Sequence, residues 1–241
     1  MKILNYFLYL FGYYFEKSTK KSEILNFISI LRPCSTEYEL IRLGGNNDGG
    51  YLVPNDLSKL KQYIENKYLI MKQENWVNKD IPYDPGNHWL TFNIFNFYNK
   101  EIYNIKKAVS DMTKDACKYY GIDFDNKQYY IHGWFNYYGE PRYLDIDPDN
   151  LHYHDHGNSE YSFHGYYCLN AEPSITYYKI NDKRFDNVNK NNRAILSKNG
   201  YPHAIGAWEG HSNRITIAYN VVPIDELNDD VKTHGQFIPL L

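Results

Sequence analysis

Apolar residues along this chain recur first at helical spacing and later in short alternating runs. Residues 1–31 carry apolar side chains three or four positions apart, which predicts helical structure ending at Arg32-Pro33. A second stripe over 101–118 places apolar residues at i, i+3, i+7, i+10 and i+14, and it predicts the clearest helix of the chain. The apolar run at 67–72 predicts a strand.

The second half of the chain predicts strands separated by turns. Short runs of β-branched and aromatic residues are bounded by Gly, Pro, Asn and Asp, which is typical of a β-barrel or jelly roll. The predicted strands are 129–138, 151–156, 162–169, 174–180, 194–197, 202–208 and 214–222. The expected fold class is therefore mainly β, a jelly-roll or cupin-like core with supporting N-terminal helices. We expect a helical and hairpin segment at 1–61 and the barrel domain at 62–241.

Residues 39–54 form a separate pattern, with two short apolar runs around Gly-Gly-Asn-Asn-Asp-Gly-Gly. Such a turn between apolar runs predicts a β-hairpin. The segment resembles the start of some FkbM-like methyltransferase domains, but the glycine-rich cofactor loop of those domains does not follow. We therefore interpret it as a structural hairpin or a relic. A phosphate- or nucleotide-binding loop is not favoured, because neither Gly-x-Gly-x-x-Gly nor Gly-Lys-Ser/Thr occurs in the chain.

Composition limits the compartment and the partners. The net charge of −3 over 241 residues gives no basic excess of the kind that indicates a nucleic-acid partner. Cys34, Cys117 and Cys168 are odd in number and scattered, so a reducing, cytoplasmic location is expected. The apolar stretch 3–15 is shorter than the roughly 18–20 residues of a membrane helix. We expect it to pack on its own domain, with a helix lying on a membrane surface as the alternative.

The candidate chemistry lies in a run of alternating histidines, Leu151-His-Tyr-His-Asp-His156. On an extended strand, alternate side chains share a face about 6.6 Å apart, so two neighbouring histidines can converge on one ion. His152 and His156 would be about 13 Å apart and cannot both bind it without a sharp kink. Neutral imidazole is the commonest protein ligand for Zn, Fe, Cu and Ni. An exposed polar strand face is the structural alternative.

A third ligand must come from elsewhere, and His203 is the best candidate. The strand that carries His203 is followed by a glycine-containing turn and a second strand that opens with Arg214. Such a hairpin would bring Arg214 back beside the metal, where its guanidinium could bind a carboxylate through two donors. A buried arginine there needs a carboxylate, which a ligand or a barrel Asp or Glu would supply.

These pieces, in this order, resemble the double-stranded β-helix core of iron(II)/2-oxoglutarate-dependent oxygenases. The resemblance runs from Trp134 to Asn220 and is strongest to the bacterial and phage group of that family. The matching pieces are Trp134-Phe-Asn136, His154-Asp-His156, Phe163-His-Gly-Tyr-Tyr167 with His164 where serine is usual, His203, and Arg214-Ile-Thr216 with Asn220.

The resemblance implies a ligand set for Fe(II) made of His154, His156 and His203. Most of the superfamily has a carboxylate two positions after the first histidine, whereas this chain has His156 there. The site therefore has three histidines, or the chain bends so that Asp155 enters, or His152 replaces His156.

The resemblance also implies a co-substrate site and a substrate pocket. Arg214, helped by Thr216, would hold the C5 carboxylate of 2-oxoglutarate. Further co-substrate-binding residues on the strand before the histidines would be Asn136, Tyr137 and Tyr138. Candidates for lining the substrate pocket are His164, Tyr167 and Trp208.

The activity implied is that of a dioxygenase that uses O₂ and Fe(II), hydroxylates a small molecule or peptide, and converts 2-oxoglutarate to succinate. The substrate itself is not indicated by the sequence. A cupin-type metal-dependent isomerase or epimerase without 2-oxoglutarate is one alternative, and a non-catalytic barrel that binds ligands is another. Arg214 favours the oxygenase, since the other barrels do not need an arginine at that position.

Overall fold

Two antiparallel sheets form the centre of the protein. The computed structural model describes residues 51–53, 55–73, 92–138, 151–157, 159–180, 183–208, 210–227 and 237–241. The predictions for residues 1–31, for most of the 39–54 hairpin and for Cys34 lie outside these residues.

The larger sheet has six strands and the smaller has three. The larger, in the order β1-β6-β3-β8-β2-β9, contains β1 (Tyr51–Leu52), β2 (Tyr129–Tyr138), β3 (Phe163–Asn170), β6 (Arg193–Lys198), β8 (Arg214–Pro223) and β9 (Ile238–Pro239). The smaller, in the order β5-β4-β7, contains β4 (Ile175–Ile180), β5 (Lys183–Val188) and β7 (His203–Ile205). A single bridge between His154 and His203 adds the 151–157 segment to the outer side of β7.

The path of the chain between the sheets is that of a jelly roll. It runs from β2 in the larger sheet to His154 beside the smaller one, and back to β3. The β4–β5 hairpin lies in the smaller sheet, after which β6, β7 and β8 alternate between the two sheets. This winding is the double-stranded β-helix arrangement, so the predicted fold class is confirmed.

Side-chain alternation on β8 separates the core of the protein from its cavity. Ile215, Ile217 and Tyr219 point into the core that the helices cover. Arg214 and Thr216 point the other way, into a cavity between the sheets. Because successive residues of a strand face opposite sides, one strand serves both the helix-covered core and the site.

Two helices cover the outer face of the larger sheet. Helix α2 (Lys100–Tyr120) begins where the Asn99 side chain accepts a hydrogen bond from the Ile102 amide. It ends at Gly121, whose φ of 69° is left-handed. Its apolar stripe is buried against the sheet, which confirms the predicted helix. The short helix α3 (Phe124–Lys127) leads into β2.

Helix α1 (Leu57–Gln73) includes the run 67–72, so the strand predicted there is wrong. A short apolar run cannot distinguish a strand from a buried helix by periodicity alone. Leu60, Ile64 and Met71, which are spaced for one helical face, are buried in the same core.

The division of the chain at residues 61 and 62 stays a prediction. Both residues lie inside α1, and Leu60 and Ile64 on either side of the division share one core. The two-residue strand β1 pairs with β6, so residues before the division also contribute to the larger sheet.

Several strands match the prediction, and two differences concern the smaller sheet. Strand β2 has the predicted bounds, but residues 151–156 make only the bridge at His154 rather than a strand. Strand β5 (Lys183–Val188) was not expected from the sequence, because its residues are mostly polar and mostly exposed. It is held by six residue pairs with β4 at the edge of the sheet.

The described part of the chain includes no helix with both the length and the apolar character needed to cross a bilayer.

Cys117 and Cys168 are buried free thiols.

Gly165 lies where β3 approaches its neighbours most closely. A methyl group on its Cα would lie 2.1 Å from the Ile195 carbonyl oxygen and 2.5 Å from the Tyr219 ring. We expect Gly165→Ala to lower the free energy of unfolding, measured in urea, by about 3 kcal/mol. The added methyl group would overlap the neighbouring strands, and β3 is paired on both sides and has no room to shift. Gly121→Ala adds the same methyl group in open space and should cost only about 1 kcal/mol for its left-handed φ. Equal losses in the two variants would contradict this account of the packing.

Candidate metal centre

Three histidines from two neighbouring segments converge at one end of the cavity between the sheets. Ring nitrogens of His154, His156 and His203 all lie within 4.8 Å of one another. His203 opens β7, and its backbone exchanges two hydrogen bonds with that of His154, at 3.0 and 2.8 Å. The bridge therefore fixes two ligand candidates side by side, and His156 follows two residues later on the same segment.

His164, on β3, is a fourth imidazole in this cluster. Its ring stacks on that of His156, with the centroids 3.6 Å apart and the planes within 9° of parallel. Its Nδ1 is 3.1 Å from the Asn220 side-chain oxygen. The ring nitrogens that lie within 4.8 Å of one another belong to His154, His156 and His203 and not to His164, so His164 supports the His156 ring by stacking and is not a candidate ligand.

The histidines of the cluster are neutral at ordinary pH. Burial, reinforced by the neighbouring imidazoles, lowers the pKa of His156 to about 3. Burial likewise lowers the pKa of His203 to about 4, and those of His154 and His164 also fall. Neutral imidazole is the form that binds metal, so these side chains need no deprotonation before an ion enters.

The donor set fits a metal ion. The Nε2 atom of His156 is buried and has no hydrogen-bond partner among the described residues. A buried polar atom of this kind is costly unless something satisfies it, and an ion held with His154 and His203 would do so. Three imidazoles suit a first-row transition metal such as iron, zinc, copper or nickel.

The same cavity is also lined by other polar side chains and by a buried arginine. Arg214 is only 3% exposed and faces the cavity together with Thr216, Asn136 and Thr176. The Asn136 amide donates to the Thr216 hydroxyl at 3.3 Å, across paired positions of β2 and β8. The cavity encloses about 110 Å³, and a cavity of about 150 Å³ accepts a molecule the size of benzene. A fixed positive charge and the cluster of candidate metal ligands therefore share one small cavity.

Three of the predicted site residues, Tyr137, Tyr167 and Trp208, are not among the described residues that line this cavity. Tyr137 packs on Tyr68 of α1, with centroids 4.2 Å apart, and its hydroxyl accepts a hydrogen bond from Asn213. Tyr167 is buried in the core under the helices and donates to the Asn192 side chain at 2.7 Å. Trp208 is buried, and its indole N–H donates to the Ser212 carbonyl at 2.8 Å.

Strand alternation gives the reason for the positions of the two tyrosines. Tyr137 follows Asn136 and Tyr167 lies three residues after His164, so each has the opposite parity from a cavity residue of its own strand. Tyr138 is paired with Arg214 in the β2–β8 register, and its side chain lies outside the described part of the chain.

The two alternate ligands are not in the cluster. His152 is exposed, and Asp155 is exposed with its carboxylate accepting a hydrogen bond from the Gly157 amide at 3.1 Å. The structure thus brings His154, His156 and His203 together and leaves both alternates outside.

The sequence analysis assigned no site role to three residues that shape the site. Tyr166 and Thr176 line the cavity, and Asn220 holds His164. The available signal was strand parity, because Tyr166 shares a face with His164 and Asn220 shares one with Thr216.

Comparison with known proteins gives similarity to solved structures alone. No protein-family model matches the chain, and no curated protein sequence matches it. One similar structure is an oxidoreductase of the 2OG-Fe(II) oxygenase family from Burkholderia pseudomallei, at 12% identity and a TM-score of 0.38, covering 52% of this chain and 60% of that one. A second is the dioxygenase for auxin oxidation 1 from Arabidopsis thaliana with 2-oxoglutarate, at 13% identity and a TM-score of 0.39, covering 52% of each chain.

A third similar structure is a full-length protein from Neurospora crassa in complex with alpha-KG and thymine. It is 13% identical with a TM-score of 0.39, and the match covers 54% of this chain and 47% of that one. This chain therefore spans about half to three fifths of the length of these three structures.

The buried neutral histidines predict that the metal-free protein loses stability in mild acid. The folded-state pKa values of His156 and His203 lie below the ordinary value near 6.5, so the unfolded chain takes up protons that the folded chain does not. The contribution of the two neutral histidines to the free energy of unfolding is therefore complete above about pH 7 and decreases as the pH falls towards 4. At pH 5 the loss is about 2 kcal/mol for each of the two histidines.

Urea unfolding in the presence of a chelator, between pH 7.5 and pH 5, measures this effect. His156→Gln should lose stability less steeply than the wild type as the pH falls, whereas the exposed His152→Gln should follow the wild type. A wild-type stability that does not change between pH 7 and pH 5 would contradict the assignment of neutral buried imidazoles.

Proposed function

We propose that this protein is an Fe(II)- and 2-oxoglutarate-dependent oxygenase. The observation that carries the proposal is the combination in one cavity of three clustered neutral histidines and a buried arginine. The histidines suit a transition metal, and the arginine suits a carboxylate.

His154, His156 and His203 would hold the iron. When bound, the iron supplies the redox chemistry by which O₂ and 2-oxoglutarate oxidise a substrate, with succinate as the product. His164, stacked on His156, would keep that ring in the orientation in which a ring nitrogen lies near those of the other two histidines.

Arg214 would bind the distal carboxylate of 2-oxoglutarate. Its guanidinium is permanently charged and presents paired donors, and burial strengthens its attraction for an anion. Thr216 and Asn136, already hydrogen-bonded to each other, add a hydroxyl and an amide to the same wall. These residues orient the co-substrate and exclude water from it.

The alternative of a cupin-type isomerase or epimerase explains the histidines but gives no role to Arg214. A non-catalytic barrel explains neither the clustered ring nitrogens nor the charge buried beside them. An oxygenase would use the three histidines to bind the metal and Arg214 to bind the co-substrate of the same reaction.

The substrate class proposed is a small molecule or a peptide. The cavity encloses about 110 Å³, which is less than the volume of about 150 Å³ that accepts a molecule the size of benzene, so the substrate would meet the metal at the open side, beside the exposed His154. A soluble metabolite or an extended peptide can approach in that way.

Succinate formation tests the proposal. Purified protein with Fe(II), O₂ and 2-oxoglutarate should release succinate, and fractionated metabolites or peptides that contain the substrate should increase the rate. Omission of Fe(II) should abolish the release. Metal binding without any 2-oxoglutarate binding or turnover would favour the isomerase alternative, and absence of both would favour a non-catalytic barrel.

A further inference from the structure

A short turn joins His156 to β3, and side chains from outside the turn hold it in place. His154 is fixed by its paired backbone bonds with His203, whereas His156 belongs to no strand or bridge of the described structure. The position of His156 therefore depends on how the turn that follows it is held. The turn also separates two stacked rings, because His156 precedes it and His164 lies in β3 after it.

A single carboxylate binds two hydroxyl groups of this turn. Glu226 is the last residue of the three-residue 3-10 helix that follows β8. Its Oε1 accepts a hydrogen bond from the Ser159 hydroxyl and its Oε2 accepts one from the Ser162 hydroxyl, each at 2.5 Å. Bonds of this length between a hydroxyl and a carboxylate are roughly twice as strong as bonds between neutral groups. Because Ser162 is only 1% exposed, its bond to Glu226 is also shielded in part from water.

Ser159 connects the carboxylate to the backbone of the turn. Its Oγ accepts from the Tyr161 amide at 3.0 Å and from the Ser162 amide at 3.1 Å, while its hydrogen is donated to Glu226. A hydroxyl has one donor and two acceptor positions, so all three are used. The Tyr129 hydroxyl adds a further restraint, because it donates to the Tyr161 carbonyl at 2.9 Å.

Asn199, in the turn after β6, holds the two ends of the same turn. Its side-chain amide donates to the His156 carbonyl at 3.1 Å. Its backbone N–H donates to the Ser162 carbonyl at 3.0 Å. One residue thus contacts the chain just before the turn and again near its end. The bond to His156 acts on the backbone of a candidate metal ligand and does not use its ring nitrogens.

These bonds matter because an ion binds most tightly to ligands that are already in place. A ligand on an unpaired segment loses conformational freedom when the ion binds, and that loss weakens binding unless the folded protein has already restricted the segment. Groups that hold a metal ligand from outside typically change metal affinity by 10–100-fold. The bonds of Glu226 and Asn199 restrict the segment through its backbone, so we expect an effect at or below the low end of that range.

We propose that Glu226 and Asn199 are positioning residues that hold His156 where it completes the metal site with His154 and His203. The inference rests on the proposed function for the identity of the metal, Fe(II). Neither residue belongs to the cluster of ring nitrogens, so each acts through His156.

Replacement of Glu226 by alanine is the direct test. Glu226→Ala should raise the dissociation constant of Fe(II), titrated anaerobically into the full chain, by roughly three- to tenfold. Glu226→Gln keeps one oxygen acceptor and should lose less. Asp225→Ala is the matched control, because it removes the neighbouring exposed carboxylate, whose partner is Lys127 of α3 at 2.9 Å. Its Fe(II) affinity should equal that of the wild type.

Hydrogen exchange separates positioning of His156 from a purely structural role. In the metal-free protein, Glu226→Ala should speed exchange of the Tyr161 and Ser162 amides, which bond to Ser159, and leave exchange in β8 unchanged. Saturating Fe(II) should slow these two amides again, because an ion held by His156 replaces the lost restraint. Coupling between two binding equilibria is reciprocal, so a turn that strengthens Fe(II) binding must itself be stabilised by Fe(II).

Two further variants decide the matter if Glu226→Ala does not fold. Ser159→Ala removes one of the two hydroxyls that Glu226 binds, and Asn199→Ala removes the donor to the His156 carbonyl. Each should weaken Fe(II) binding, and wild-type affinity in both would overturn the inference.

A folded Glu226→Ala with the wild-type Fe(II) constant would overturn the inference, and so would an equal loss in Asp225→Ala. Exchange of the turn that does not respond to Fe(II) in Glu226→Ala would overturn it as well. These results leave the proposed function intact if the wild type binds Fe(II) and 2-oxoglutarate. A wild type that binds no Fe(II) would instead overturn the proposed function, and this inference with it.

Discussion

Replacing His203 by alanine is expected to abolish metal-dependent turnover while leaving the fold intact. His203 provides one of three clustered nitrogens and is 5% exposed. Loss of an outer hydrogen-bond partner of a ligand typically costs 10–100-fold in metal affinity, so loss of a ligand should cost roughly 100-fold or more. Fe(II) binding measured anaerobically, alongside the circular dichroism spectrum and the melting temperature, gives the result.

His211→Ala is the control for this variant. His211 is exposed in the loop between β7 and β8, and its replacement should change neither Fe(II) affinity nor turnover. An unchanged Fe(II) affinity in His203→Ala would refute the ligand assignment. A loss of Fe(II) affinity in His152→Ala with none in His156→Ala would point to the alternate ligand pair, His152 and His154.

Arg214→Lys is expected to weaken 2-oxoglutarate binding far more than Fe(II) binding. Lysine keeps the positive charge but lacks the planar pair of donors, so it is not a conservative change at a site that binds a carboxylate. A charge-assisted hydrogen bond is worth on the order of 1.5–3 kcal/mol, so the apparent constant for 2-oxoglutarate should rise by roughly ten- to a hundredfold. Titration of each ligand separately into the folded variant measures the two effects.

The competing explanation for Arg214 makes a different prediction. An arginine that only balances charge within the barrel would lower the melting temperature when replaced, and 2-oxoglutarate affinity would change only as the fold fails. Equal weakening of both ligands, or lost stability with an unchanged 2-oxoglutarate constant, would show that the co-substrate role is wrong.

The β core was predictable because strand alternation and turn residues are local signals. Strand β8 shows this clearly: apolar Ile215, Ile217 and Tyr219 alternate with Arg214 and Thr216, and the strand was found at nearly its true bounds. Local signals failed where tertiary contacts decide the structure. The apolar run at 67–72 became helix because its face packs on the sheet, and the polar strand β5 forms because β4 supplies its partner.

The candidate site could be predicted only as far as the spacing of the histidines along the chain implies that their side chains meet at one ion. The proximity of His154, His156 and His203 could be expected, and the bridge between His154 and His203 that produces it could not. Parity along a strand would have excluded Tyr137 and Tyr167 from the cavity. The side chain of Asn189 bonds to Tyr166 and to Ser174, which are 23 and 15 residues away in the chain, and no sequence pattern indicates such bonds.

An anaerobic titration with Fe(II) and then with 2-oxoglutarate tests the central claim most directly. The account predicts one Fe(II) per chain at neutral pH, followed by 2-oxoglutarate binding that requires the metal and produces a visible metal-to-ligand charge-transfer absorption. Addition of a chelator should remove both the metal and the absorption. Failure to bind Fe(II), or 2-oxoglutarate binding that is equally tight without it, would contradict the account.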